Sequence, residues 1–146
     1  VPESSIKKGL ANIIKNTALL GRWQLMSTSP YTICDIGHNE DGIKEICRQL
    51  KNIQYKRLHF VYGTVNDKPL DEILTLLPQD AKYYFCRPNI TRGLDEIELK
   101  EKANKEGLKG KAYRSVKQAF LTAKEKATNN DLIFIGGSTF VVAEVI

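Results

Sequence analysis

Short apolar runs alternate with longer segments of helical periodicity along most of this chain. Runs rich in β-branched and aromatic residues predict four strands, over 31–37, 57–63, 81–88 and 131–137. Apolar residues spaced three and four apart predict four helices, over 42–50, 69–77, 95–107 and 116–127. Because strands and helices alternate with short connections, the pattern predicts an α/β domain with helices on both faces of a mostly parallel sheet.

Two further segments complete the predicted sheet. The segment RWQLMS (22–27) lies before Pro30 and predicts an extra strand that pairs antiparallel with its successor. The segment KAYR (111–114) predicts a short strand. The whole is a Rossmann-like three-layer domain, mostly parallel with one antiparallel strand. Asp67 and Ser115 are predicted helix caps, and Gly107 is a predicted helix stop.

The composition restricts the class of protein. A chain of 146 residues corresponds to one compact domain. No apolar stretch is long enough to span a membrane, and the first residues lack the pattern of a signal peptide. The three cysteines are odd in number and form no C-x-x-C pair, which argues against disulfides and against a zinc site. We therefore expect a protein of the reducing cytoplasm, with no membrane partner.

The positive charge of the chain is dispersed in the sequence. The formal net charge is +5, yet the lysines between residues 100 and 111 alternate with glutamates, as on a solvated helix face. This pattern disfavours a nucleic-acid surface, so no nucleic-acid partner is expected. A mildly positive field would still attract phosphate or carboxylate substrates.

Polar clusters follow each of the four predicted strands. Asp35, His38 and Asn39 follow the first, GTVNDK (63–68) the second, CRPNITR (86–92) the third and GGST (136–139) the last. In an open parallel sheet, ligands bind beyond the carboxyl ends of the strands. The topology therefore predicts one binding edge that gathers all four clusters.

Each cluster also has a structural interpretation. Asp35 or Asn39 could simply cap the helix that follows, and His59 in mid-strand suits a structural role. The pair Gly136–Gly137 fits either a hairpin turn or a strand-to-helix turn whose amides and Ser138 hydroxyl hold an anion. The chain contains neither a Walker A motif nor G-x-G-x-x-G, so it lacks the usual phosphate cradle.

Several short motifs together resemble a known family. They are Gly21–Arg22, a D-x-x-H-N block at 35–39, Asp67–Lys68 and the GGS at 136–138. In this order they resemble the C-terminal domain of folylpolyglutamate synthase/dihydrofolate synthase, in the Mur ligase superfamily. The resemblance implies a Mur-ligase-type domain over 21–146 and an interdomain linker over 1–20, with the N-terminal ATP-binding domain outside this sequence.

The resemblance implies an ATP-dependent ligase as the full-length protein. In that family ATP phosphorylates a carboxylate of folate or dihydropteroate, and the amine of L-glutamate then displaces phosphate from the acyl phosphate. Mg²⁺ and the ATP phosphates would be held mainly by the N-terminal ATPase domain, so the resemblance implies no metal ligands here. The 146 residues alone are expected to be inactive.

The resemblance also implies roles for individual residues. Arg22 and Asp35 would contact ATP, and His38 would be catalytic and lie near the glutamate. Ser138 would bind the glutamate. Supporting positions would be Asn39, Lys68 and Gly137. The usual family block D-G-A-H-N-P here reads D-I-G-H-N-E, so Ile36, Gly37 and Glu40 depart from it.

Two other functions fit the same sequence. A Mur-type ligase that adds another amino acid to a cell-wall precursor would share the binding edge. A stand-alone, flavodoxin-like binding module without catalysis would share the fold. A competition assay across amino acids and acceptors separates the first alternative, and a Walker A motif upstream in the same reading frame would exclude the second.

Overall fold

The computed structural model describes residues 20–66 and 69–146. The proposed cap Asp67, the candidate Lys68 and all but the last residue of the predicted linker 1–20 lie outside these residues. The described strands are Gln24–Thr28 (β1), Tyr31–Cys34 (β2), Leu58–Tyr62 (β3), Lys82–Cys86 (β4), Lys109–Tyr113 (β5) and Leu132–Gly136 (β6). The described helices are Glu40–Leu50 (α1), Leu70–Leu76 (α2), Glu96–Lys105 (α3), Val116–Lys126 (α4) and Thr139–Ala143 (α5).

The strands form one six-stranded sheet in the order β1-β2-β6-β3-β4-β5. β1 pairs antiparallel with β2, and all other neighbours are parallel, which confirms the predicted mixed α/β sheet. The strand predicted at 111–114 begins earlier, at Lys109, because Lys109 is already in register with Lys82 of β4. The last strand of the chain, β6, lies between β2 and β3 in the sheet. The carboxyl ends of β2, β6 and β3 therefore lie side by side.

Helices cover both faces of the sheet, as predicted. Helices α1, α2 and α3 pack on a face rich in aromatic residues, where the Phe60 ring lies 4.9 Å from Phe134 and 5.2 Å from Tyr83. Helices α4 and α5 pack on the other face against aliphatic residues such as Val61 and Ile135. Successive side chains of a strand point to opposite faces of the sheet. Because helices cover both faces, all of these side chains are buried, which explains the continuous apolar runs. None of the described helices is both long and apolar enough to cross a membrane.

Side-chain caps define the starts of α1, α3, α4 and α5, whereas Pro69 at the start of α2 makes no side-chain cap. Asn39 Oδ1 accepts from Gly42 N at 2.8 Å at the start of α1, and Ser115 Oγ accepts from Gln118 N at 3.1 Å at the start of α4. Gly107, with φ of 85°, follows α3 as predicted. Of the two candidate caps for α1, the cap is Asn39, which leaves the carboxylate of Asp35 for other contacts.

A buried polar network on the α4 face joins β3 and β4 to Asp131, the residue before β6. His59 is 1% exposed; its Nδ1 lies 2.8 Å from Tyr84 Oη, and its Nε2 lies 2.9 Å from Asp131 Oδ2. The Asp131 carboxylate can only accept, so Nε2–H donates to it. In the neutral ring Nδ1 then accepts from the Tyr84 phenol, whose pKa burial raises to about 12. His59 is thus fully hydrogen-bonded inside the domain, in agreement with the predicted structural role.

We expect Asp131→Asn to lower the free energy of unfolding by about 1–3 kcal/mol at neutral pH, because it removes a charged acceptor from this network. Burial opposes the charge, but hydrogen bonds from Thr128 and His59 outweigh it and lower the pKa of Asp131. A lowered pKa contributes stability above the unfolded-state value of 3.8 that is lost as pH falls through the folded-state value.

Urea unfolding across pH measures this effect. The difference between wild type and Asp131→Asn should be constant at neutral pH and shrink below pH 3.8. Glu125→Gln, which changes an exposed carboxylate on α4, is the matched control. A difference that persists undiminished at acid pH would contradict the role assigned to the Asp131 charge.

Candidate active-site edge

The carboxyl ends of β2, β6 and β3 lie in direct hydrogen-bonding contact. Asp35 N donates to Ile135 O at 3.1 Å, just beyond β2, and Gly63 N donates to Gly136 O at 3.4 Å, just beyond β3. The loops that carry Asp35, His38 and Ser138 therefore begin side by side. The convergence predicted from topology is confirmed for these strand ends, which we call the active-site edge.

Asp35 connects two loops of this edge. Its carboxylate is buried, with 9% of the residue exposed. Oδ2 accepts from Trp23 N at 2.9 Å, and Oδ1 accepts from Gly37 N at 2.7 Å. Trp23 has a φ of 42°, a conformation unusual for a residue other than glycine. The carboxylate thus helps to stabilise a strained turn before β1 while it holds the loop after β2.

The turn held by Asp35 presents Arg22. Arg22 is exposed and lies between Gly21, with φ of 75°, and Trp23. Ile36 N donates to Gly21 O at 2.8 Å, and a Cβ on Gly21 would lie 2.7 Å from Ile36 Cγ2. Glycine is therefore required for this close approach. Within residues 20–66 and 69–146, the Arg22 guanidinium has no ion pair, so it is available to an anion at the edge.

His38 and Asn39 have different environments. His38 is exposed, and its Nδ1 lies 3.2 Å from Ile36 O. Since a carbonyl can only accept, Nδ1 carries the proton in this contact, and Nε2 of the neutral ring is left as an acceptor. The Oδ1 of Asn39 accepts from Gly42 N, so Asn39 serves the helix. His38 thus presents an exposed imidazole, while the Asn39 side chain caps α1.

The segment GGST forms a strand-to-helix turn rather than a hairpin. Gly137 has φ of 104°, and the Oγ of Ser138 accepts from Phe140 N at 3.0 Å as the cap of α5. Ser138 is 1% exposed. Its hydroxyl thus fixes the turn, while its contact with an amino-acid substrate stays a prediction.

The loops after β3 and β4 extend the edge. Leu94 N donates to Thr64 O at 3.0 Å and Asn66 N donates to Arg92 O at 2.8 Å, which ties the two loops together. The Arg92 guanidinium lies 5.7 Å from the centre of the Phe140 ring on α5. Sequence reasoning missed Phe140; the signal was a large aromatic residue at an exposed position directly after the glycine turn. Arg87, also noted in the sequence, is exposed on the same loop.

The chemistry available at the edge is binding and positioning. Burial, with a smaller contribution from the Asp35 charge, raises the pKa of Cys34 to about 11, so this thiol is not a nucleophile at neutral pH. In the part of the chain that the structure describes, no group of three or more His, Cys, Asp or Glu residues could hold a metal ion. The edge offers a guanidinium and a structured glycine turn, which suit an anionic ligand, and an imidazole acceptor, which suits a hydrogen-bond donor.

Comparisons with known proteins agree with this geometry. Residues 21–139 match the family described as "Mur ligase, glutamate ligase domain". A relative in Escherichia coli (strain K12), a dihydrofolate synthase/folylpolyglutamate synthase, is 31% identical over 99% of this chain and 33% of its own length. A probable bifunctional folylpolyglutamate synthase/dihydropteroate synthase of Haloferax volcanii is 32% identical over 99% of this chain and 17% of its own length.

A solved structure agrees as well. Escherichia coli FolC in complex with DHPP and ADP is 30% identical, with a TM-score of 0.83. The match covers 99% of this chain and 34% of that chain. The chain spans about a third or less of the curated relatives named here. The family match covers most of the chain, and it begins at the glycine that precedes Arg22. The chain belongs to the Mur ligase family, as a glutamate ligase domain.

Proposed function

We propose that this chain is the glutamate ligase domain of an ATP-dependent enzyme that joins L-glutamate to folate or dihydropteroate. The observation that carries the proposal is the active-site edge, where an exposed guanidinium and an imidazole converge beside a glycine turn in a domain of this family. Support for the substrate class comes from the names of the relatives and from the DHPP and ADP bound to FolC.

The reaction proceeds in two transfers. The acceptor carboxylate attacks the γ-phosphorus of ATP, which gives an acyl phosphate and ADP. The amine of L-glutamate then attacks the acyl carbon, phosphate leaves, and the amine loses a proton as the amide forms. The negative charge at the phosphate in both transfers requires cationic partners that are positioned in advance.

The residues of this domain supply part of that environment. Arg22 contacts the nucleotide, since a guanidinium stays protonated and matches phosphate oxygens. His38 lies near the incoming glutamate, where Nε2 can accept a proton from its ammonium group. The Ser138 turn lies beside the glutamate carboxylate. Lys68 and Gly137 are supporting positions in the same proposal.

Asp35 contributes mainly through the loops that it holds. Both of its oxygens already accept backbone N–H groups, from Trp23 and Gly37. A direct contact with ATP would use the remaining lone pairs of the same carboxylate. We therefore assign Asp35 first as a positioning residue for Arg22 and His38.

The partner domain and the metal are parts of the same proposal. In this proposal Mg²⁺ belongs with the ATP phosphates on the N-terminal domain. The isolated chain is then inactive, and the active site forms when the two domains meet. A cytoplasmic location is part of the same proposal, because ATP is available there and the three free thiols stay reduced there.

The test follows ADP release by the full-length protein with ATP and a reduced folate or dihydropteroate, with and without L-glutamate. We expect glutamate-dependent release, and we expect Arg22→Ala to reduce kcat/KM for ATP by roughly 10–100-fold through loss of a charged contact. Lys117→Ala, an exposed cation on α4, is the matched control and should leave the rate unchanged.

Other outcomes would change the assignment. Release that depends on a cell-wall precursor and another amino acid would identify a different branch of the same family. Absence of turnover with every acceptor would favour the binding-module alternative. Wild-type kinetics for Arg22→Ala in an active enzyme would remove Arg22 from the site while leaving the ligase function intact.

A further inference from the structure

Positive charge is concentrated at the amino ends of the parallel strands, opposite to the active-site edge at their carboxyl ends. A cavity of about 530 Å³ opens at the amino ends of β3, β4 and β5. Its lining includes three cations, Arg57, Lys82 and Lys109, and one carboxylate, Asp80. The Gln79 amide in the same lining donates to Glu106 O at 3.0 Å, which holds the wall formed by the turn after α3.

Lys82 is the centre of this cation cluster. It lies on the interior strand β4, in register with His59 on one side and Lys109 on the other, and it is half-buried. Burial lowers the pKa of Lys82, and the charges of Lys126, Arg57 and Lys111 lower it further. These cations therefore lie close enough to repel one another.

The cluster lacks neutralising partners. The cluster consists of five cations: Arg57, Lys82, Lys109, Lys111 and Lys126. Across residues 20–66 and 69–146, none of them forms an ion pair with a carboxylate. The cations come from the residue before β3, from β4, from β5 and from the end of α4, so only the fold brings them together. Cations that are dispersed in the sequence thus form a mainly positive patch in three dimensions, with Asp80 as the one carboxylate in the lining of the cavity.

Ordinary structural roles explain only part of the cluster. Lys109 and Lys111 lie on the edge strand β5, where lysines prevent pairing with another sheet, and Lys126 lies at the C-terminus of α4. Neither reason applies to Lys82. Its lowered pKa means that its charge destabilises the folded state at neutral pH, a penalty that disappears only above the unfolded-state value of 10.5.

We propose that this cavity binds a compact anion that carries two or more phosphate or carboxylate groups. Arg57, Lys82 and Lys109 line a concave space that a small polyanion fills, and the Lys126 charge acts on Lys82 from the end of α4. A flat patch would instead suit an extended polymer. The Tyr84 ring lies 5.8 Å from the Lys82 ammonium and supports it from the sheet. Strands of five residues separate this cavity from the active-site edge by roughly 15 Å, so the site is distinct from the proposed nucleotide contact.

The test uses the full-length protein with ¹³C-labelled lysine side chains and saturating ADP, which blocks the nucleotide site. Tripolyphosphate and citrate are titrated separately, and the Lys82 signal is assigned by its loss in Lys82→Gln. We expect one anion to bind with Kd of about 1 mM or tighter and to raise the Lys82 pKa, since a bound anion favours the charged form. Tighter binding of tripolyphosphate would identify a phosphate ligand, and tighter binding of citrate would identify a carboxylate ligand.

Variants make the result specific to this cavity. Lys82→Gln, followed through the labelled Lys109 signal, and Lys126→Gln should each weaken binding by roughly tenfold, while Lys117→Gln near the start of α4 should not. The proposal fails if neither anion moves the Lys82 signal at about 10 mM. It also fails if Lys82→Gln binds as well as wild type, or if a single-stranded oligonucleotide binds more tightly than both anions, which would make the patch a nucleic-acid surface.

Discussion

Asp35→Ala should reduce glutamate-dependent ADP release by the full-length enzyme by roughly 100-fold, because displacement of a positioning group by about 1 Å has an effect of that size. The carboxylate holds the turn that presents Arg22 and the loop that presents His38. Its loss leaves two backbone N–H groups without their acceptor and releases the strained Trp23. The KM for ATP should rise together with the fall in kcat.

Stability measurements separate positioning from unfolding. The same variant should lose about 3 kcal/mol of unfolding free energy, since two hydrogen bonds to a charged acceptor disappear. Kinetics are therefore measured at a temperature where the variant remains folded by circular dichroism. Asp35→Asn should give intermediate values, because the carboxamide offers one acceptor oxygen and an NH₂ group that cannot accept the second N–H.

A nearby acid provides the control. Asp41→Ala removes an exposed carboxylate from the first turn of α1 and should cost no more than about 1 kcal/mol, with unchanged kinetics. If folded Asp35→Ala turns over at the wild-type rate, the two loops are positioned without Asp35. If Asp41→Ala is equally impaired, the effect belongs to the charge of the region rather than to the two hydrogen bonds of Asp35.

The architecture was predictable because its causes are local. Strands covered on both faces are apolar throughout, and helices carry apolar residues at a spacing of three and four, so periodicity separates them. The parallel pairing followed from alternation, but the position of β6 between β2 and β3 was not predicted. The start of β5 did not, because Lys109 and Gly110 have weak strand preference and are held extended by their pairing with β4.

The sequence predicted where the site residues lie better than it predicted what each side chain contacts. Topology alone gathered the strand ends, and it identified the loops of Asp35, His38 and Ser138. The hydrogen bonds of Asp35 were not predictable, since its partner Trp23 N lies twelve residues earlier and meets it only in the folded domain. The cation cluster around Lys82 was hidden for the same reason, because its members lie far apart in the sequence.

Gly137 shows how a single backbone position joins stability to function. A Cβ at this position would lie 2.3 Å from Gly63 O and 2.6 Å from the Tyr62 ring, and its φ of 104° is unfavourable for any side chain. The first contact is with backbone, which cannot rotate away. Any substitution must therefore separate the ends of β6 and β3 that form the active-site edge.

We expect Gly137→Ala to lower the free energy of unfolding by about 4 kcal/mol, as the sum of about 1–3 for the strained conformation and about 1–3 for overpacking. Chemical denaturation measures the loss. Two single-cause variants make the comparison quantitative. Gly107→Ala has positive φ but nearby only the flexible Gln79 side chain, whereas Gly63→Ala has its closest contact with Cys86 O at 2.6 Å without positive φ.

The three variants together distinguish the causes. Gly107→Ala should lose only about 1 kcal/mol, the ordinary cost of a side chain at a helix C-terminus that favours glycine. Gly137→Ala should exceed Gly107→Ala by the cost of the clash, and it should also reduce glutamate-dependent turnover, because the turn before α5 moves. If Gly137→Ala were no worse than Gly107→Ala, the β6–β3 junction would be able to open without cost, and the glycine turn could not act as a rigid part of the active-site edge.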